Sequence, residues 1–399
     1  MASQFGFLTG FAYTLPFAFG GLYFGKITDK LNRKWCLGIA MALCGVSMGI
    51  SGFATSFMAF ALMRPVLGII SAIFNPLSFS LLSEYFPPER RATANSIIQS
   101  GNYIGWGVSS ISIMAISALG WRSTYGLLGV VAMVISVMTL LFVKEPKNTR
   151  ALQAKLADAQ KAIAKVDEDK KNDDSDTGLK EVLKNPVNRF VLLGTLFRNF
   201  GGSCTTYFLP LFFLKNFPLF KAQYSFVNSV ILSIFGLTSG ICGGIIADKY
   251  EKKNLFTKAL ICIIGSAAAL PLIGAATLQT TNFWLSMACF MMFTLLTSAF
   301  SGPAITMMQN SSPKNQQGSV VSSYFFVVTL AQTLGPLVLG FLCNKFGAVA
   351  NPTIYGPLIT LTTFIGFLGS CPWWYFAGKN YKRIMLEKQK AEEECALIA

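Results

Sequence analysis

Eleven apolar stretches of about 20 residues, separated by polar segments, run along the chain. A stretch of this length can cross the hydrocarbon core of a bilayer as one helix, which satisfies its own backbone hydrogen bonds there. The predicted spans are residues 4–25, 35–55, 57–82, 93–117, 122–143, 190–214, 223–247, 256–277, 282–308, 318–342 and 353–376. The pattern therefore predicts an all-α, multi-pass integral membrane protein.

Two longer polar segments interrupt this pattern. Residues 144–188 form a mixed-charge linker, and residues 377–399 form a charged tail; both are expected to be solvated. The linker divides the chain into a predicted N-terminal transmembrane bundle, residues 1–143, and a predicted C-terminal bundle, residues 189–376. Within the last span, the Trp-Trp-Tyr run at 373–375 predicts an aromatic belt at the membrane interface.

The composition excludes several classes of protein. Of 399 residues, 53% are hydrophobic and only 13% are charged, against about 25% charged residues in soluble domains. A soluble enzyme, a disordered chain and a small disulfide-stapled domain do not fit these values. The chain has no histidine, and its nine cysteines show no Cys-x-x-Cys spacing. No metal site, cofactor or enzymatic activity is expected, since no nucleophile–base pair or nucleotide loop is visible either.

The net charge of +15 indicates membrane topology rather than nucleic-acid binding, because the basic residues lie between apolar runs. One set of alternate loops carries 27 of the 33 Lys and Arg residues, and the opposite set carries four. Loops rich in basic residues stay in the cytosol. The linker and the tail are therefore predicted to be cytosolic, while the identity of the membrane, plasma or organelle, is left open.

One loop sequence occurs twice, at an offset of 219 residues. The shared elements are a glycine, an aspartate and a basic pair: Gly25, Asp29, Arg33 and Lys34 after the first span, and Gly244, Asp248, Lys252 and Lys253 after the seventh. A polar linker lies between the two copies. This arrangement indicates an internal duplication, which is how many secondary transporters are built.

At these residues the chain resembles the major facilitator superfamily, whose Gly-x-x-x-Asp-Arg-x-Gly-Arg-Arg loop follows its second helix. Three further segments resemble motifs of that family: Arg64-x-x-x-Gly68, Glu84 through Arg90-Arg91, and Gly335-Pro336 with Gly340. The resemblance implies two pseudo-symmetric helical bundles, in which the eleven spans correspond to family helices 2 to 12. It implies a gating role for Gly25, Asp29, Arg33, Lys34, Gly244, Asp248 and Lys252. It implies a structural or coupling role for Arg64, Gly68, Glu84 and Arg90.

The chain departs from the family pattern at its beginning. The family has twelve spans and its loop follows the second, whereas here the loop follows the first predicted span. We expect an incomplete gene model; a genuine short form is the alternative. Because family helix 1 lines the substrate path, its loss would favour a non-transporting membrane subunit.

Two arginines, Arg64 and Arg198, are the charged residues that fall well inside predicted spans, away from the span ends. Such residues are costly in a membrane and are usually functional. The run that begins at Arg198 and continues to Tyr207 and Pro210 is similar to helix 7 of organophosphate and organic-anion members of the superfamily. The resemblance implies that Arg198 faces a central cavity and binds an anionic group. The alternative is an arginine paired with backbone carbonyls or a polar neighbour.

Uncharged polar residues in other spans are candidates for the rest of a substrate cavity. These candidates are Asn75, Gln99, Asn102, Tyr103, Tyr207, Asn228, Tyr324 and Gln332, with Asn95 on the same face as Gln99. The alternative is hydrogen bonding between membrane helices, a common use of such residues. No acidic residue lies well inside a span, and proton symport usually needs a proton-carrying side chain there. The sequence therefore favours exchange or facilitated diffusion over proton symport.

The sequence thus predicts a secondary active or facilitative transporter that moves a small organic solute, an anionic one, by alternating access. Its expected partners are that solute and the lipid bilayer, and a monomer is expected. A second branch remains open, since residues 29–34 and Arg64-x-x-x-Gly68 also resemble Spinster-like transporters of lysolipids or sphingoid bases. That branch commonly carries a glutamate soon after the glycine, whereas this chain has Ile69, Ile70 and Ser71.

Overall fold

The computed structural model describes residues 12–28, 32–87, 90–143, 179–313, 316–348 and 350–398. Asp29 and residues 144–178 of the predicted linker lie outside the described residues. Every regular element within the described ranges is helical. The α-helices, in chain order, are α1 (Ala12–Thr28), α2 (Arg33–Gly52), α3 (Phe57–Ser71), α4 (Phe74–Tyr85), α5 (Arg91–Leu119), α6 (Trp121–Phe142), α7 (Leu179–Lys184), α8 (Pro186–Asn216), α9 (Lys221–Val230), α10 (Leu237–Glu251), α11 (Thr257–Leu278), α12 (Phe283–Thr297), α13 (Ser301–Ser311), α14 (Gln317–Lys345) and α15 (Tyr355–Ile398).

Within the described residues, each predicted span coincides with a helix or with two consecutive helices, which confirms the all-α membrane fold. Residues 4–11 of the first predicted span lie outside the described residues. Eight helical segments of the described chain are long and apolar enough to cross a membrane. Helix α1 has 17 described residues. Helices α5 and α8 have 29 and 31 residues, and they contain most of the polar side chains predicted for the cavity.

Three predicted spans are interrupted inside the membrane. Helix α3 ends at Ser71, just before α4, and helix α12 ends at Thr297, where a 3₁₀ turn, Ser298–Phe300, leads into α13. These two breaks are 226 residues apart, so the duplication is visible in helix geometry as well as in the loop sequence. The third interruption is a π turn, Ile231–Gly236, between α9 and α10; such turns are frequent at functional sites.

The described residues group into two compact units. Unit 1 comprises residues from Met1–Tyr85, Trp121–Val182 and Lys314–Ser322, and unit 2 comprises those from Phe86–Gly120, Leu183–Pro313 and Ser323–Ala399. The domain boundaries derived from the linker stay a prediction.

Unit 1 is held together by close helix crossings and a small apolar core. A Cβ on Gly45 of α2 would lie 2.7 Å from the carbonyl oxygen of Gly129 in α6, so the two backbones nearly touch. Small residues permit such crossings in membrane proteins, where packing replaces the hydrophobic effect. The core consists of Leu37, Ala40, Ile73, Leu77 and Leu81.

Unit 2 contains a larger aromatic core, in which α8 and α15 lie side by side. A Cβ on Gly366 of α15 would lie 2.6 Å from the backbone nitrogen of Gly201 in α8. Phenylalanines from α8, α12 and α15 fill the space around this crossing. Helix α15 does not end at residue 376 but continues to Ile398, and Tyr381 is fully buried. One side of the first turns of the predicted tail is thus packed, while Lys379, Lys382 and Arg383 are exposed.

Candidate substrate site and helix-end contacts

Arg198 of α8 is buried inside unit 2, with 5% of its surface exposed. Its Nη2 donates a hydrogen bond of 2.9 Å to the carbonyl oxygen of Thr297, the last residue of α12. The C-terminus of a helix leaves carbonyls without intrahelical partners and carries a partial negative charge. The break between α12 and α13 therefore supplies an acceptor for the arginine within the membrane interior.

Two phenyl rings flank the Arg198 guanidinium. Its central carbon lies 3.5 Å from the ring centroid of Phe367 on α15 and 4.7 Å from that of Phe300. Both distances are within the range of cation–π attraction, which strengthens when the cation is desolvated. The buried Nε of Arg198 has no hydrogen-bond partner among the described residues. The guanidinium is thus fixed in place but retains an unused donor.

Two of the predicted cavity residues lie near Arg198. The phenol groups of Tyr103 and Tyr324 are close enough to interact electrostatically with the guanidinium. Tyr324 of α14 is fully buried. Tyr103 of α5 packs on the π turn, where a Cβ on Gly236 would lie 2.5 Å from its ring. The sequence thus identified three residues that the fold brings into one region of unit 2.

The remaining candidates are placed differently. The side chain of Asn102 donates to that of Gln99 over 3.0 Å on α5. Tyr207 and Gln332 are exposed, Asn228 is half-buried, and Asn75 is half-buried in unit 1. In the described part of the chain none of these side chains forms a hydrogen bond with Arg198. Their role in substrate binding stays a prediction.

Asn95, which shares a face with Gln99, serves helix packing. Its Nδ2 donates to Thr306 Oγ1 over 2.8 Å and to Gln309 Oε1 over 2.7 Å, and so joins α5 to α13. This is the interhelical alternative that the sequence left open.

Asp248, at the end of α10, receives the N-terminus of α5. Its Oδ1 accepts the backbone N–H of Ala92 over 3.1 Å, and its Oδ2 accepts that of Thr93 over 2.7 Å. The N-cap residue of α5, Arg90, makes no side-chain capping bond. A carboxylate at this position satisfies unpaired N–H groups and is favoured by the helix dipole. Asp248 of α10 therefore caps the N-terminus of α5, a role that is usually taken by a residue of the capped helix itself.

The repeated glycines make equivalent contacts. A Cβ on Gly244 would lie 2.7 Å from the carbonyl oxygen of Ala92 in α5. Within unit 1, a Cβ on Gly25 would lie 3.0 Å from the carbonyl oxygen of Gly318 in the first turn of α14. Each glycine of the duplicated loop thus permits the start of another helix to approach closely.

Removing the Asp248 carboxylate is expected to loosen the start of α5. Loss of an N-cap side chain costs about 0.5–2 kcal/mol, so Asp248→Ala should speed amide hydrogen exchange in residues 90–100 by roughly 2- to 30-fold. Hydrogen-exchange mass spectrometry of the purified full chain measures this. Lys252→Ala, which alters an exposed residue of the same loop, is the matched control. Equal exchange in both variants would contradict the capping role.

A buried cluster lies beside Asp248 and was not anticipated from the sequence. Lys258 Nζ is 2.6 Å from Glu251 Oε2, and the Tyr381 hydroxyl donates to Glu251 Oε1 over 2.6 Å. Asn310 donates to the Tyr381 hydroxyl over 3.2 Å and accepts from Arg91 over 2.9 Å. We name these five residues the Tyr381 cluster. It joins α5, α10, α11, α13 and α15 at one end of unit 2.

The sequence contains only weak indications of the Tyr381 cluster. Lys258 is the third residue of a predicted span and reads as a topology charge, and Tyr381 falls in the predicted tail. Lys252, the basic residue that the repeat singled out, is exposed. The buried basic residue at this end of unit 2 is instead Lys258, six positions later.

Unit 1 has a buried ion pair of its own. Arg33 Nη1 lies 2.6 Å from Glu84 Oε1, and the arginine side chain is 1% exposed. Both residues belong to predicted motif positions, and the pair joins the start of α2 to the end of α4. Lys34 is half-buried next to it, and Arg90 is exposed in unit 2. The gating and coupling roles of these residues stay predictions.

Arg64 is held by aromatic residues of unit 1. Its Nη2 donates to the Tyr125 hydroxyl over 2.8 Å, and its guanidinium lies 4.6 Å from the Phe60 ring centroid. Four residues later, a Cβ on Gly68 would lie 2.5 Å from the carbonyl oxygen of Tyr13, because α1 crosses α3 there. These contacts tie the motif to helix packing in unit 1.

Comparison with known proteins agrees with this architecture. The sequence model of the Major Facilitator Superfamily matches residues 2–336. The hexuronate transporter of Bacillus subtilis is 24% identical over 367 residues, which cover 88% of this chain and 81% of that protein. The probable galactarate/D-glucarate transporter GarP of Escherichia coli is 22% identical over 398 residues, which cover 93% of this chain and 86% of that protein.

Two solved structures share the fold. The proton:xylose symporter XylE matches with a TM-score of 0.68 and 15% identity, over 92% of this chain and 85% of its own. A bacterial homologue of the human lysosomal transporter Spinster matches with a TM-score of 0.58 and 19% identity, and the match covers 96% of this chain and 90% of that one. The family match covers most of the chain, and the relatives are transporters rather than enzymes. The chain belongs to the major facilitator superfamily and is an integral, multi-pass membrane transporter of a small molecule.

Proposed function

We propose that this transporter moves a small organic anion by alternating access, with Arg198 binding the anionic group. The observation that carries the proposal is the buried guanidinium, which keeps an N–H without a partner among the described residues. An ionisable residue in a membrane interior is costly and is usually retained for function. Its remaining donors suit a carboxylate, because a guanidinium donates in a planar fork.

The names of the relatives support an anionic substrate. The hexuronate transporter is named for sugar acids with one carboxylate, and the probable galactarate/D-glucarate transporter is named for sugar acids with two. Both kinds of sugar acid are organic anions at neutral pH. Tyr103 and Tyr324 add hydroxyl groups beside the arginine that could bind the polar part of such a solute.

The helix-end contacts support a gate on the side predicted to face the cytosol. Asp248 of the predicted C-terminal bundle holds the start of α5, which belongs to the predicted N-terminal bundle. Gly25 of the N-terminal bundle receives the start of α14, which belongs to the C-terminal bundle. In alternating access one bundle rocks against the other, so contacts at helix ends must form and break once in each cycle. In this proposal these contacts stabilise one of the two conformations.

Uptake by proteoliposomes that contain the purified full chain tests the substrate class. We expect saturable uptake of labelled D-glucuronate that unlabelled carboxylates inhibit and equal concentrations of D-glucose do not. Inhibition by lysolipids without inhibition by carboxylates would favour the Spinster-like alternative. Absence of flux for every solute, together with copurification of a larger complex, would favour a non-transporting subunit.

A further inference from the structure

The charge environment of Arg198 points to a narrower substrate class. Resting on the proposed function, we infer that the site accepts an organic anion of single charge, a monocarboxylate or a sulfonate. We infer that it discriminates against doubly charged anions, both phosphate esters and diacids such as those for which the galactarate/D-glucarate transporter is named.

The first observation is that Arg198 is the one cation at the candidate site among the residues that the structure describes. Arg198 and Arg64 are the charged residues well inside the spans, and Arg64 lies in unit 1, where it donates to Tyr125. Lys258 of unit 2 is paired with Glu251. Among the described residues, the titratable side chains in the surroundings of Arg198 are the phenols of Tyr103 and Tyr324 and the thiols of Cys262 and Cys371. No second positive charge is present among them.

The second observation is that phenyl rings shield the plane of the guanidinium from water. Phe367 at 3.5 Å and Phe300 at 4.7 Å cover it, and 95% of the arginine surface is buried. One guanidinium balances one negative charge. A second negative charge would remain uncompensated in a medium of low polarity, where isolated charges are strongly disfavoured.

The third observation is the unused donor. The buried Nε of Arg198 has no partner among the described residues, whereas Nη2 is occupied by the Thr297 carbonyl. The free edge of the guanidinium therefore offers a small number of in-plane donors. These suffice for the two oxygens of a carboxylate or for two of the three oxygens of a sulfonate.

Matched hexose derivatives separate charge from shape. D-glucuronate carries a planar monoanion at carbon 6, sulfoquinovose carries a tetrahedral monoanion there, and glucose 6-phosphate carries a dianion at pH 7.5. A phosphate ester has a second pKa near 6, so its monoanion fraction rises about 25-fold between pH 7.5 and pH 5.5. Phenols and thiols titrate above about pH 8 and stay neutral in this window.

The experiment is equilibrium binding of each compound to the purified full chain at both pH values, by isothermal titration calorimetry. We expect glucuronate and sulfoquinovose to bind with similar affinity, changed less than 3-fold by pH. Glucose 6-phosphate should bind at least 10-fold more weakly at pH 7.5 and recover roughly 25-fold at pH 5.5. Tight binding of glucose 6-phosphate at pH 7.5 would overturn the charge limit and leave the anion site intact. Equal binding of neutral glucose, or no binding of any anion, would overturn the proposed function itself.

A second cation should reverse the preference. Gly202 lies one turn after Arg198, and a Cβ there would meet Arg198 Nη1 at 3.5 Å, an ordinary contact. Gly202→Lys is therefore expected to raise the affinity for glucose 6-phosphate at pH 7.5 by at least 10-fold relative to Gly202→Gln, the neutral control. No gain in a variant that still binds glucuronate would contradict the inference.

Discussion

Arg198→Ala is expected to abolish uptake of an anionic substrate while the protein remains folded. Truncating one partner of a buried, hydrogen-bonded charge pair costs about 2–5 kcal/mol, which corresponds to a loss of affinity of roughly 30-fold or more. The effect should be large because Arg198 is 95% buried and has no other cation among its described titratable neighbours. Initial uptake rates of labelled D-glucuronate in proteoliposomes measure it.

Two variants make this result interpretable. Arg198→Lys retains the positive charge but loses the planar fork, so partial activity is expected. Arg122→Ala removes an exposed arginine that stacks on Trp121 in unit 1, and it should transport at the wild-type rate. Since Arg198 also binds the Thr297 carbonyl, each variant must elute as a monodisperse peak before its uptake is compared. Undiminished uptake by a folded Arg198→Ala protein would rule out the anion assignment.

Lys258→Ala is expected to produce the largest loss of stability. Lys258 has no exposed surface and lies 2.6 Å from Glu251, whose side chain is 11% exposed. Removing one partner of a buried ion pair leaves an uncompensated charge and costs about 3–5 kcal/mol. The free energy of unfolding in detergent, followed by tryptophan fluorescence during denaturant titration, should fall by that amount.

A double substitution provides the matched control. In Lys258→Met with Glu251→Gln neither charge remains, so most of the lost stability should return. The Tyr381 hydroxyl can still donate to the amide oxygen of Gln at position 251. If the double variant is as unstable as the sum of the two single variants, the pair is not coupled and the Tyr381 cluster does not act as a unit.

The length of the apolar runs predicted the location of the spans within the described residues, because a run of apolar residues in a membrane has few alternatives to a helix. It did not predict the breaks after Ser71 and Thr297. The hydropathy of a break resembles that of the helix around it. Nor did it place Trp374, assigned to an interfacial belt, which is fully buried and contacts Gly194 of α8.

In the candidate site, too, the sequence predicted one part and missed another. Arg198 was identifiable because a charge inside an apolar run is conspicuous. Its partners Thr297, Phe300 and Phe367 are ordinary residues of other segments, 99 to 169 positions away in sequence. Only the packing of α8 against α15 and against the break after α12 brings them together. Local patterns contain no information on such long-range contacts.

The continuity of α15 has a thermodynamic consequence. The same helix carries Phe367, against Arg198, and Tyr381, 14 residues further along or about 21 Å at helical rise. If loosening the Tyr381 cluster changes the affinity for an anion by some factor, a bound anion changes the stability of that cluster by the same factor, because linkage is reciprocal. A saturating anion would then protect or expose amides around Tyr381 without touching them. The sign of that change reports which conformation the anion prefers.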